Sequence, residues 1–308
     1  MTLFSLWPSP ERPWTELQAL AEFVDDGTWH CLWYADHFMP NTDDGSVADG
    51  DVHEIWAVLS AIAAVTKHIR VGSLVSPTTV RHPALLANTA ATVDCISAGR
   101  LTLGLGAGWQ VNEHTAYGIP LLDNRPRVDR FEEALSIIRN LLTEDRTTFH
   151  GEHFEIVDAP CQPRPVQRPL PIMVGTGGPR MSRITATKAD EWNTWGNPSV
   201  AAAKATVIDE ACEKYDRDPR SLHRSVQALF FPTDDPSAAE AIVAKAPSDR
   251  TIAGSVQEIV DAIGLYVDAG FDEVIVPDFT LGSSASARRD TYEMFKNEVL
   301  PHFRRPSR

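Results

Sequence analysis

The stretch Leu101-Thr102-Leu103-Gly104-Leu105-Gly106-Ala107-Gly108-Trp109 decides the fold. Its first half is an apolar run of strand length, and its second half packs three glycines into five residues before a polar segment begins at Gln110. Working outward, the same kind of run recurs at 3–7, 31–35 and 69–75 before it, and at 171–175, 191–195, 225–231 and 273–277 after it. Helical patterns fill the spaces between, at 14–26, 55–67, 83–96, 127–142, 180–189, 200–215 and 256–269. Ser255 precedes the last of these as an N-cap with an acidic first turn, and Gly270 stops it. Continuous apolar runs, without polar alternation, suit strands covered on both faces by helices. Eight such strand and helix alternations predict an α/β fold, the (β/α)8 TIM barrel, as one domain over residues 1–308. An open doubly wound sheet is the second reading, but no Gly-x-Gly-x-x-Gly follows the first strand with an acid about 20 residues on.

One connection is too long for an ordinary loop. Residues 109–169 follow the fourth strand and hold a helix and a hairpin near 147–157 that turns at Gly151. Insertions after barrel strands lie on the face where barrels place their chemistry.

Composition narrows the classes of partner. Lys and Arg number 28 against 42 Asp and Glu, a net charge of −14, so the long-range positive field that gathers nucleic acid is absent. No run of about 18 apolar residues reads as a membrane span, and the first residues lack a basic segment ahead of an apolar one. The four cysteines, Cys31, Cys95, Cys161 and Cys212, are widely spaced and read as thiols of a cytoplasmic protein. No set of His, Cys, Asp and Glu has metal-ligand spacing, and no Gly-x-Ser-x-Gly elbow occurs.

Candidate chemistry gathers at the ends of four strands. After the second stands Asp36-His37, the chain's one Asp-His step, where a group that titrates near neutrality can exchange a proton with a small-molecule substrate. After the third come Ser73, Leu74 and Ser76, with hydroxyls to meet a polar ring edge. After the fourth, Ala107 and Gly108 offer a backbone platform to a planar ring, with Trp109, Asn112 and Glu113 beyond it. After the fifth, Gly175-Thr176-Gly177-Gly178-Pro179-Arg180 opens a helix whose free amides and arginine suit a phosphate. Each has a plainer reading as a loop His, a Ser-Pro turn, a glycine exit or a helix cap.

Taken together, these residues resemble the luciferase-like monooxygenase superfamily, most closely its branch of coenzyme F420-dependent oxidoreductases. The similarity covers almost the whole chain. It is carried by Leu32-Trp33-Tyr34-Ala35-Asp36-His37, Ser97-Ala98-Gly99-Arg100-Leu101, Gly106-Ala107-Gly108-Trp109 with Glu113, Ala116-Tyr117-Gly118, Gly175 to Gly178, and Ala189-Asp190-Glu191-Trp192-Asn193. The resemblance implies a barrel that binds a phosphorylated deazaflavin across its strand ends through Asp36, Ser76, Ala107, Gly108, Asn112, Gly177, Gly178 and Arg180, with His37 near the reacting carbon. It also implies a non-prolyl cis peptide in the third strand, expected at Ser73–Leu74.

The sugar-phosphate dehydrogenases of that branch carry a glutamate where this chain has Trp109, which moves the expected substrate from glucose 6-phosphate toward an apolar or aromatic compound. Hydride transfer between deazaflavin and a small organic substrate is the leading expectation. An FMN-dependent monooxygenase fed by a separate reductase, and a barrel that binds the cofactor without turnover, are the alternatives. Arg125, Arg127, Arg130, Arg180 and Arg183 are candidates to meet an anionic polyglutamate tail, which FMN lacks. The resemblance further implies a homodimer that pairs near the second and third strands.

Overall fold

The computed structural model describes residues 2–175 and 178–304. Eight apolar runs form parallel strands β1 (Leu3–Trp7), β2 (Cys31–Tyr34), β3 (Arg70–Ser73), β4 (Leu101–Gly106), β5 (Ile172–Gly175), β6 (Glu191–Trp195), β7 (His223–Gln227) and β8 (Glu273–Pro277). Neighbours in sequence are neighbours in space, and β8 pairs back onto β1 from Leu3–Glu273 to Trp7–Pro277. The β3–β4 pairs Val71–Leu101 and Gly72–Thr102 complete a closed barrel, which disposes of the open-sheet reading.

Helices α1 (Trp14–Val24), α2 (Ile55–Val65) and α3 (Pro83–Ile96) follow the first three strands. The insertion after β4 carries α4 (Val111–Ala116), α5 (Asn124–Thr143) and a hairpin of Thr147–His150 with Glu155–Ala159. Then come α6 (Pro179–Lys188), α7 (Pro198–Lys214), α8 (Pro236–Val243), α9 (Val256–Asp268) and α10 (Ala285–Met294).

Alternation along each strand divides the core. On β2, Leu32 and Tyr34 face the helices, while Cys31 and Trp33 point inward to join Trp7, Leu74, Met173 and Ile275 on the barrel axis. The layer between strands and helices holds most of the buried side chains, and each buried Leu, Ile or Val there contributes about 1.5–3 kcal/mol. Trp33 fits the axis because β3 offers Gly72 beside it. A Cβ at residue 72 would lie 2.3 Å from Trp33 Cζ3.

The lower end of the barrel is polar. Glu273, fully buried at the start of β8, accepts hydrogen bonds from Trp33 Nε1 at 2.8 Å and His223 Nε2 at 3.1 Å. His114 is also buried, with Nδ1 near the Gln110 carbonyl and Nε2 near Thr79 Oγ1.

Several boundaries differ from the expectations for identifiable reasons. The run 225–231 serves two sheets: β7 ends at Gln227, and Leu229–Pro232 leaves the barrel to pair with Thr251–Gly254, placing Phe230 against Phe295. The third strand stops at Ser73, and the ladder resumes when Ser76–Pro77 pairs with Leu105–Gly106. The non-prolyl cis peptide expected at Ser73–Leu74 lies one bond later, at Leu74–Val75. Helices α5, α6 and α7 begin earlier than predicted because Pro126, Pro179 and Pro198 occupy first turns, where no N–H is required of them. The prediction left out α4, α8 and α10 as separate elements.

Candidate active site

The mouth at the C-terminal ends of the strands opens into a cavity of about 1310 Å3. That exceeds the usual size of a pocket for one drug-sized ligand, so a large cofactor and a small substrate fit together. One wall comes from Leu74, Val75, Gly106, Ala107, Gly108 and Gly175, a nearly flat surface of small residues and backbone. Trp7, Trp109 and Trp195 supply aromatic faces, and Asn193 and Gln227 add amides from the ends of β6 and β7.

His37 lines one side, where its Nδ1 lies 3.0 Å from Glu113 Oε1. The second oxygen of Glu113 accepts the Phe38 N–H at 2.9 Å, so both are engaged and the side chain is almost wholly buried. The Trp109 ring meets the His37 ring edge-on, with centroids 5.6 Å apart. Asp36 points the other way. Its buried carboxylate accepts two hydrogen bonds of 2.8 Å from Arg81, which also pairs with Glu54 at the start of α2. Side chains of consecutive residues on extended backbone leave on opposite sides, so the Asp-His step feeds two different environments.

The other predicted residues divide in the same manner. Leu74, Ala107, Gly108, Trp109, Gly175, Gly178 and Arg180 line the cavity. Ser73 is buried between strands, its hydroxyl bonded to the Gly104 carbonyl, and Ser76 Oγ accepts from Trp56 Nε1. Asn112 donates to the carbonyls of Pro40 and Ser46. Thr176 and Gly177 lie outside the described residues.

The opposite rim is cationic, although the protein is acidic overall. Gly178, at φ +89°, caps α6 without a side-chain hydrogen bond, and a Cβ there would meet nothing within 4 Å. The uncapped amides of Arg180 and Met181 therefore belong to a helix start that favours an anion. Arg125, Arg127 and Arg180 stand around it, with Asp129 paired to Arg180. The remaining two tail candidates do not reach the cavity: Arg130 stacks over Phe154, and Arg183 pairs with Glu132. A flat wall beside an anion site suits a planar ring that bears a phosphate.

Sequence reasoning missed Trp7, Trp195, Gln227, Lys204 and Arg250. The first three sit at or beside strand ends, a positional signal available from the barrel reading alone. Lys204 Nζ donates to the Trp195 carbonyl at 2.8 Å, and Arg250 lies over the Trp195 ring. Burial holds the Lys204 ammonium below its ordinary pKa, with Asp249 opposing the shift. Inside an amphipathic helix and a loop, these two cations gave no pattern to read. Among the described residues, no three His, Cys, Asp or Glu side chains are placed to hold a metal ion.

Two curated relatives are named F420-dependent glucose-6-phosphate dehydrogenase. That of Amycolatopsis mediterranei is 34% identical over 313 residues, which is 89% of this chain and 90% of the relative. That of Kineococcus radiotolerans is 31% identical over 212 residues, 68% of this chain and 61% of the relative. Among solved structures, the coenzyme F420 dependent tetrahydromethanopterin reductase from Methanopyrus kandleri superposes with a TM-score of 0.82 at 20% identity, over 98% of this chain and 99% of that one, a likeness of fold. The profile of the family described as luciferase-like monooxygenase matches residues 1–254, the barrel strands through β7 and every residue around the cavity, and the chain belongs to that family.

Proposed function

We propose that this chain is an F420-dependent oxidoreductase, which moves a hydride between the deazaflavin and a small organic substrate. The observation that carries the reading is the pairing, in one cavity, of His37 on one side with a flat wall and a three-arginine anion site on the other. Bound there, the deazaflavin supplies a carbon that accepts or donates hydride. Its phosphate would lie at the start of α6, and Arg125 and Arg127 would meet negative charge beyond it. Ala107, Gly108 and Gly175 leave room for the ring, and His37 exchanges the proton that accompanies the hydride. Trp109, with Trp7 and Trp195, favours a substrate with an apolar or aromatic body over a sugar phosphate.

An FMN-dependent monooxygenase served by a separate reductase is the second reading, favoured by the monooxygenase description of the family. FMN needs the ring wall and the phosphate site but no use for Arg125 and Arg127. The reading extends to one catalytic domain in the cytoplasm, in keeping with four free thiols and with no described helix long and apolar enough to cross a membrane. It includes a homodimer through α2 and α3, where Val65, Leu85 and Ile96 are exposed.

Titration of the purified protein with F420 and with FMN, followed by cofactor fluorescence, decides between the cofactors. Tight FMN binding with no response to F420 would refute the proposal. His37→Ala abolishes turnover and spares cofactor affinity, and unchanged rates would remove His37 from the reaction.

A further inference from the structure

The segment after β4 does more than enlarge the cavity rim. From Gln110 to Tyr117 it grips the loop that follows His37. Gln110 Nε2 donates to the Met39 carbonyl at 3.0 Å, Asn112 Nδ2 donates to Pro40 and Ser46, and Tyr117 stacks on Phe38. Asn112 Oδ1 accepts the Glu113 N–H at 2.8 Å, which directs the Glu113 side chain toward His37. The contacts from Gln110, Asn112 Nδ2 and Tyr117 end on residues 38–46, so this insertion fixes the loop that carries the His37 ring.

We propose that Glu113 is a positioning residue for the reaction: it holds His37 with a proton on Nδ1 and leaves Nε2 as the nitrogen that exchanges a proton with substrate. The inference rests on the function proposed above for the reaction it serves. An ionised carboxylate only accepts hydrogen bonds, so the 3.0 Å contact requires Nδ1 to donate. Glu113 cannot turn away, because its other oxygen holds the Phe38 amide. Nε2 has no hydrogen-bond partner among the described residues, and the ring lines the cavity. The neighbouring carboxylate, Asp36, is bound in both its oxygens by Arg81 and is unavailable for this role. Around His37, then, Glu113 acts from α4 and the Trp109 ring meets it edge-on, while Asp36 and Glu54 are both paired to Arg81. A carboxylate behind a histidine fixes the tautomer and stabilises the imidazolium that forms when Nε2 takes a proton.

The test needs no cofactor for its first arm. Nitrogen-15 spectra of histidine-labelled protein, with His37 identified by its loss in His37→Ala, report the tautomer directly. The expected neutral form carries its proton on Nδ1, and a spectrum with the proton on Nε2 would overturn the proposal even if Glu113 variants failed to fold. In turnover, Glu113→Gln lowers kcat by about 10–100-fold while cofactor affinity stays at the wild-type value. Failure of F420 to bind would sink the proposed function and leave the tautomer result standing.

Discussion

His223→Gln probes the polar lower end of the barrel, and its effect follows from one ion pair. In the wild type, burial works against a charged His223, but the hydrogen bond and charge of Glu273, with Glu191 and Asp272, outweigh it and raise the imidazole from 6.5 to about 9. His30 and Arg70 complete the charges around this cluster, and burial holds His30 below its ordinary value. A move from 6.5 to about 9 corresponds to about 3 kcal/mol of stabilisation. Because the folded value is the higher one, that stabilisation is complete below pH 6.5 and is lost as the pH rises through about 9. Glu191 acts in a lower window. Burial raises its carboxyl from 4.5 to about 7, so stability also declines as the pH rises between those values.

The wild type should therefore lose stability over two overlapping windows as the pH rises, one between 4.5 and about 7 and one between 6.5 and about 9. His223→Gln removes the second loss and leaves the Glu273 carboxylate buried without its cation, which lowers stability at neutral pH by about 3–5 kcal/mol. Denaturant unfolding followed by tryptophan fluorescence, at about pH 6 and about pH 10, measures both effects. Equal losses between those pH values in wild type and variant would refute the argument.

Three further outcomes are expected. Gly72→Ala forces a methyl group into the Trp33 ring and should lower unfolding free energy by about 1–3 kcal/mol, read from the shift in denaturant midpoint. Asp36→Ala strips Arg81 of a buried bidentate partner and should cost about 3–5 kcal/mol in the same measurement, a larger loss than Glu54→Ala at the exposed end of that network. Arg125→Ala with Arg127→Ala should weaken binding of F420 with its full tail by about tenfold at low salt and leave a deazaflavin phosphate lacking the tail unaffected, a fluorescence titration distinguishing the two.

Much of the barrel was legible before any tertiary contact was known. Its strands are buried on both sides, so their apolar runs are continuous, and the segments between them repeat at helical spacing. The glycines after β4 and the start of α6 were likewise visible, because backbone that must approach a ring or an anion needs residues without a Cβ. Where the reading slipped, one local pattern supported two structures. The run through Phe231 has no turn residue at Ala228 to signal that it changes sheets, and Pro179 and Pro198 look like breakers although they begin helices.

Direction and partnership were beyond the sequence. Asp36 and His37 are adjacent in the chain, yet one is neutralised by Arg81 and the other faces the cavity with Glu113 behind it, 76 residues away. Glu113, Ser73, Ser76 and Asn112 are polar residues near strand ends, and only packing reveals that their hydrogen bonds are spent on other protein groups. The sequence by itself determined the barrel and the face on which chemistry gathers, because periodicity and glycine placement are local consequences of burial. The tertiary structure decided which charge stands against which, because that depends on closing the sheet and folding the insertion after β4 onto the loop after β2.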